Sequence, residues 1–154
     1  MRGVKSFMTN KEKNDLFYVC SLIEYISRET RNRRGDIVKK IGQEGIEKLL
    51  HDAEMNHCLS FEEVSDEVIT HFQIQSGEFE PEKGSPYTIP DVQDIGKLYA
   101  IMIEDLACPG KEIEELMKVF SSFISDAISN FRSDLYYQNP DYLECCYREG
   151  RLLE

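Results

Sequence analysis

The sequence predicts an all-α fold, and three observations carry that prediction. Apolar residues recur at helical spacing along almost every stretch outside residues 73–90. Helix-starting signals stand directly ahead of three of these stretches, at Ser60, Asp91 and Asn139. The five prolines all fall between the expected helices or at a first helical position. The expected architecture is an N-terminal bundle of about four short helices in residues 1–72, a Pro/Gly-rich linker at 73–90, and a C-terminal region at 91–154. That last region is expected to hold a long antiparallel helical hairpin and a short last helix.

The first helix is read from Asn14, where Leu16, Val19, Cys20, Ile23 and Ile26 form one stripe and Glu24, Arg28 and Glu29 fall outside it. Asn32 and Gly35 supply its stop signals. IVKKIGQEGIEKLLHDAEMNH reads as a short helix broken near Gly42 and a second starting near Glu44 or Gly45, because each glycine costs about 1 kcal/mol inside a helix relative to alanine. Ser60 and Glu63 fit a capping box for a helix whose apolar face is Phe61, Val64, Val68, Ile69 and Phe72. Residues 73–90 carry three prolines, two glycines and no helical period; Phe79, Tyr87 and Ile89 suggest a segment laid on the surface.

Asp91 caps a helix that is apolar on nearly all sides, from Val92 through Leu106, and so must be central or meet a second subunit. Cys108-Pro109-Gly110 turns the chain. From Lys111 to Leu135 the residues Ile113, Leu116, Met117, Phe120, Phe123, Ile124, Ile128 and Phe131 predict one amphipathic helix of about seven turns. Asn139 and Pro140 open the last helix.

At 154 residues the chain is long enough to bury about 68–70% of its unfolded surface without a disulfide or cofactor. Five cysteines, an odd number with Cys145 and Cys146 adjacent, fit a reducing cytoplasm better than a bridged framework. The opening MRGVKSFMTN has no apolar core of a signal peptide, and the longest apolar run, Leu98 to Ile103, is too short to span a bilayer. A soluble, unexported protein with no membrane contact is expected. Of the net charge of −11, residues 1–35 carry eight Lys/Arg against four Asp/Glu and the rest ten against twenty-five. The acidic remainder disfavours direct nucleic-acid binding and attracts basic partners.

HDAEMNHC, residues 51–58, raises the question of a metal. On an unbroken helix His51 and His57 point about 240° apart and cannot chelate one ion. Glu54 and His57 match the Glu-x-x-His element of di-iron bundles, but no second such element occurs. Fraying near Asn56 would let His57, Cys58 and His71 converge as zinc ligands. The expectation set against it is a structural helix end with Cys58 partly buried, and no cofactor. Cys145 and Cys146 lie beside Glu144 and Glu149, whose charge disfavours a thiolate nucleophile. No phosphate-cradling glycine loop, serine elbow or HExxH motif is present.

The basic cluster Arg28, Arg31, Arg33 and Arg34 suits phosphate or an acidic partner, or neutralises the chain's own acidic body by pairing with the C-terminal helices. Residues 14–69 show an apolar opening that leads to an acid followed by an aromatic (IEY), a short helix, a Gly-containing break, His57 after the third helix, and a closing VSDEVI. In these features the chain resembles a short bacterial helical domain family of unknown function. The resemblance implies a small helical module and brings no catalytic residue with it.

The function expected is non-catalytic: a small acidic cytoplasmic protein that engages a protein partner, basic in character, for interaction or regulation. The alternatives are an acidic nucleic-acid mimic that inhibits a nucleic-acid-binding protein, and a metal-dependent enzyme built on the His51–His71 region. A homodimer through the 91–107 helix is also expected, with Tyr99 and Phe123 at its apolar centre, burying about 800 Å² per chain.

Overall fold

The computed structural model describes residues 7–153, and among these there are seven α-helices and no strand, as the all-α class requires. The basic residues Arg2 and Lys5 lie outside the described residues. α1 (Asn10–Thr30) starts one turn ahead of its apolar stripe because Thr9 and Glu12 form a capping box. Glu12 N donates to Thr9 Oγ1 over 3.1 Å, and Thr9 N donates to Glu12 Oε1 over 2.8 Å. The helix ends on Arg31, a non-glycine residue at φ 58°, with Asn32 N donating to the Ser27 carbonyl.

α2 (Arg34–Asn56) is bent at Gly42, whose φ of 77° and ψ of 166° are non-helical. The break expected there is a kink between two limbs, and Gly45 sits inside the second limb, where a β-carbon would lie 2.8 Å from Phe72 Cζ. α3 (Phe61–Phe72) has the expected capping box from Ser60 and Glu63. Residues 73–90 are irregular and strapped down: Gly77 N and Phe79 N donate to the Thr30 and Arg31 carbonyls over 2.7 and 2.9 Å, and Ser85 Oγ donates to the Phe131 carbonyl over 3.1 Å.

α4 (Val92–Leu106) is capped by Asp91, and α7 (Pro140–Glu149) by Asn139 with Pro140 in its first turn. The stretch between them departs from expectation. Instead of one helix over Lys111–Leu135, the chain forms α5 (Glu112–Ser121), α6 (Phe123–Ser129) and a 3₁₀ turn at Leu135–Tyr137. Ser122, extended at ψ 169°, makes the break: its Oγ donates to the Val119 carbonyl over 2.7 Å and accepts from Ile124 N over 3.3 Å. A serine side chain that closes one helix and caps the next competes with the helical ladder. The redirected chain places Ile124, Ile128 and Phe131 in the core.

The long hairpin is therefore absent. α4 packs chiefly on α1, with α5 and α7 as lesser neighbours, while α5 packs chiefly on α2. One hydrophobic cluster runs through both halves, from Leu16, Val19 and Ile23 of α1 to Met102, Phe120, Ile124 and Leu143. Within the chain, α1 packs extensively against α4. The two helices come into close backbone contact where Gly96 faces Ser21.

A second departure lies inside α1. Glu24, placed by its spacing on the outer face, is fully buried, because α2 and α4 both pack on α1. Its carboxylate accepts from Arg34 Nε and Nη2 at 2.9 and 2.6 Å and from Arg28 Nε at 2.8 Å; Arg28 Nη2 also donates to the Pro90 carbonyl. Burial alone would raise the Glu24 carboxyl, but the two guanidiniums outweigh it and hold the group below the usual carboxylate range. A folded-state pKa below the unfolded value of about 4.3 gives stability that is fully present above that pH and lost as the pH falls through the folded value. We expect the urea midpoint to drop on acidification below about pH 4.3, and to drop less steeply in Glu24→Gln. Equal slopes for the two proteins would show that this network is not the acid-sensitive element.

Among the described residues, no helix is long and apolar enough to cross a membrane.

Candidate functional site

Four helices meet around an open groove of about 630 Å³. α1 contributes Lys11, Asn14, Asp15, Phe17, Tyr18 and Ser21, a run that follows one face of the helix along its first half. The end of α2 adds Ala53, Glu54 and His57, α3 adds Phe61 from its first turn, and α4 adds Gln93. The wall is a row of rings: Phe61 stacks between Tyr18 and Tyr25 at 5.5 and 5.6 Å between centroids, and the His57 imidazole meets Tyr18 edge-on at 5.6 Å. Burial pushes the Tyr18 phenol up, so it stays neutral, and its hydroxyl donates to the Asn56 carbonyl over 3.5 Å.

Ser21 lies on the floor. Its hydroxyl is buried and makes no hydrogen bond, because it turns toward Gly96 instead of back to its own helix as Ser27 does to Ile23. Lys11 holds the rim through Asp15 at 2.8 Å and Glu54 at 3.8 Å. At the end of α2 and in the turn to α3, Met55 and Leu59 stand out at 72% and 43% exposure, close in sequence to the groove residues Glu54 and His57. Residues 44–72, which run through this turn, carry eight carboxylates against the single Lys48. All but the half-buried Asp52 are exposed. The arrangement can desolvate an apolar side chain against aromatic walls while its surroundings attract positive charge.

The histidines do not converge. His51 is exposed beside Asp52, His57 leans on Tyr18, and His71 on the last turn of α3 packs edge-on against Phe72. Among the described residues, no set of carboxylate, thiol and imidazole groups at metal-binding distances includes His51, His57, Cys58 or His71. α2 keeps its helical course to Asn56, so the fraying that would have gathered them does not occur. Cys58 is exposed, not partly buried.

The arginine cluster is divided by the fold. Arg34 is wholly buried against Glu24, and Arg28 bridges Glu24 and Pro90 while lying 5.3 Å from the Phe131 ring centroid. Arg33 pairs with Asp126 of α6 at 3.1 Å and covers Phe79, and Arg31 is exposed at the end of α1. The Arg33–Asp126 pair is one contact between the cluster and a C-terminal helix. Arg34 cannot take part in a surface phosphate site. Tyr99 is equally enclosed, stacked on Phe120 at 4.1 Å with its hydroxyl donating to Ser125 Oγ at 3.0 Å. Phe123 is partly exposed at the start of α6. Tyr99 and Phe123 therefore do not share an apolar surface, since one belongs to the core that α1 closes.

The groove itself escaped sequence reasoning, because no two of its walls are neighbours in the chain except at the α2–α3 turn. Its one local signal is the pairing of Phe17 and Tyr18 beside an otherwise aliphatic stripe. Compared with protein-family models, with curated proteins and with solved structures, the chain matches none.

Proposed function

We propose that this chain is a non-catalytic binding protein of the cytoplasm that docks an amphipathic helical segment of a basic partner protein in the groove between α1, α2, α3 and α4. The observation that carries the reading is the aromatic wall of Tyr18 and Phe61, with exposed Met55 and Leu59 adjacent in sequence to the lining residues Glu54 and His57 on a strongly acidic stretch of the chain. Apolar anchors in such a groove supply affinity, and the carboxylates supply steering and the choice of a Lys/Arg-bearing partner.

The test uses a labelled amphipathic peptide with leucines at i, i+3, i+4 and i+7 and lysines elsewhere. Met55→Asp and Leu59→Asp change exposed residues and leave the fold intact; each is expected to weaken peptide binding about tenfold, the equivalent of about 1.4 kcal/mol. Tyr137→Asp, at an exposed residue on another part of the surface, is expected to bind as the wild type does. A peptide with its leucines replaced by serine should lose most of its affinity. If that serine peptide binds equally well, with an affinity that collapses on raised salt and is competed by nucleic acid for the lysines, the acidic-mimic reading replaces this one.

A further inference from the structure

The end of α4 and the start of α7 bring three carboxylates to one place. Asp105 on the last turn of α4 and Asp141 and Glu144 on α7 each offer an oxygen, and these oxygens all lie within 4.8 Å of one another. Packing of α7 against α4 gathers them, not any sequence motif. Glu144 adds a separate observation: it is 1% exposed, and its Oε2 is sealed from solvent yet has no hydrogen-bond partner. Buried carboxylate oxygens in folded proteins meet donors or cations, since a bare one forfeits its hydration for nothing. Two further carboxyl groups stand beside Glu144: Asp105, with which it shares a hydrogen bond, and Asp141. Burial, then Asp105, then the charge of Asp141 push its carboxyl up to about 8, and Arg148 only partly opposes them.

We propose that Asp105, Asp141 and Glu144 form a binding site for a hard divalent cation, with calcium preferred over magnesium. The donor set is all oxygen, with no thiol or imidazole among the three, which selects against zinc. Ca²⁺ bonds to oxygen at about 2.3–2.6 Å, so ligands on opposite sides of the ion stand about 4.6–5.2 Å apart, and a spread of up to 4.8 Å is met without moving either helix. Mg²⁺ at about 2.0–2.1 Å limits that separation to about 4.2 Å and demands near-ideal octahedral geometry, a stricter condition than calcium imposes. Exposed Asp141 and half-buried Asp105 leave the outer side of the ion open to water, which completes the six to eight ligands that calcium takes. Asp105 also lies at the negative end of the α4 dipole, which favours a cation there. The bound ion would clamp α7 to the centre of the fold.

Calorimetric titration of the full chain with CaCl₂ tests this, together with thermal melts in Ca²⁺, Mg²⁺ or chelator. The expected result is one Ca²⁺ per chain and a melting point raised by about 5–10 °C at a hundredfold excess over Kd, with a smaller rise for Mg²⁺. Glu144→Gln and Asp141→Asn should abolish the calcium-dependent rise. In chelator near pH 7 Glu144→Gln should melt no lower than wild type, because a carboxyl pushed up to about 8 is already largely neutral there and the amide replaces it with a neutral group of the same shape. Glu62→Gln with Asp66→Asn, on the acidic face of α3, should leave the rise unchanged. Absence of stoichiometric binding overturns the proposal, and so does a calcium-dependent rise that survives in both site variants or disappears in the α3 variant. The groove reading stands or falls separately, since it uses none of these three residues.

Discussion

Replacing Arg34 with methionine is expected to destabilise the chain by about 3–5 kcal/mol, out of a total stability of the order of 5–15 kcal/mol. The guanidinium is fully buried and meets both oxygens of a carboxylate that is itself fully buried, in the two-pronged geometry that only arginine offers. Methionine fills a similar volume but leaves Glu24 held by Arg28 alone, through one oxygen. The loss is the cost of a half-paired buried charge, not the net worth of the ion pair. Adding Glu24→Leu to Arg34→Met is therefore expected to recover much of it, because both partners are then apolar and Arg28 is near enough to the surface to turn outward. Urea unfolding followed by far-UV circular dichroism measures both variants. A loss of less than about 1 kcal/mol in the single variant would show that solvent or another cation reaches Glu24.

Gly96→Ala is expected to lose about 2–3 kcal/mol, although alanine is the better helix former by about 1 kcal/mol. A β-carbon at Gly96 would overlap Ser21 Oγ and stand 2.7 Å from both the Cα and the backbone N of Ser21. A side chain can turn aside from such a clash, but a backbone in the middle of a helix cannot, so α1 and α4 must separate along the most extensive contact in the fold. Two controls isolate the backbone. Ser21→Ala alone should be neutral or slightly stabilising, since its hydroxyl has no partner, and combined with Gly96→Ala it should not restore stability. Gly45→Ala should cost less than Gly96→Ala, because there the β-carbon meets only side-chain ends, Ile41 Cγ2 at 2.6 Å and Phe72 Cζ at 2.8 Å. Rescue of Gly96→Ala by Ser21→Ala would locate the clash in the hydroxyl and refute the close backbone crossing.

These two sites mark the division between local and tertiary information. The sequence by itself determined where most helices begin and bend, because a cap or a kink is settled within four residues. Ser60 with Glu63, Asp91, and Asn139 with Pro140 each satisfy backbone groups beside them, and Gly42 bends α2 by its own conformational freedom. Apolar period likewise identified Leu16, Val19, Cys20, Ile23 and Ile26 as the buried stripe of α1.

Only the tertiary structure decided which of two compatible outcomes was realised. Helical period runs unbroken through Ser121 and Ser122, and nothing nearby distinguishes a long helix from two short ones; the core positions taken by Ile124, Ile128 and Phe131 go with the break. Glu24 and Arg34 look like surface charges until helices on two sides of α1 enclose them together, since a buried charge is tolerated only when a partner distant in sequence arrives with it. Tyr99 belongs to the core and not to an interface because α1 covers α4. The groove lined by Tyr18, Phe61 and Gln93, and the carboxylates of Asp105, Asp141 and Glu144, exist only where helices far apart in the chain are brought side by side. A pattern along one helix specifies which face is apolar, but it carries no record of what that face will meet.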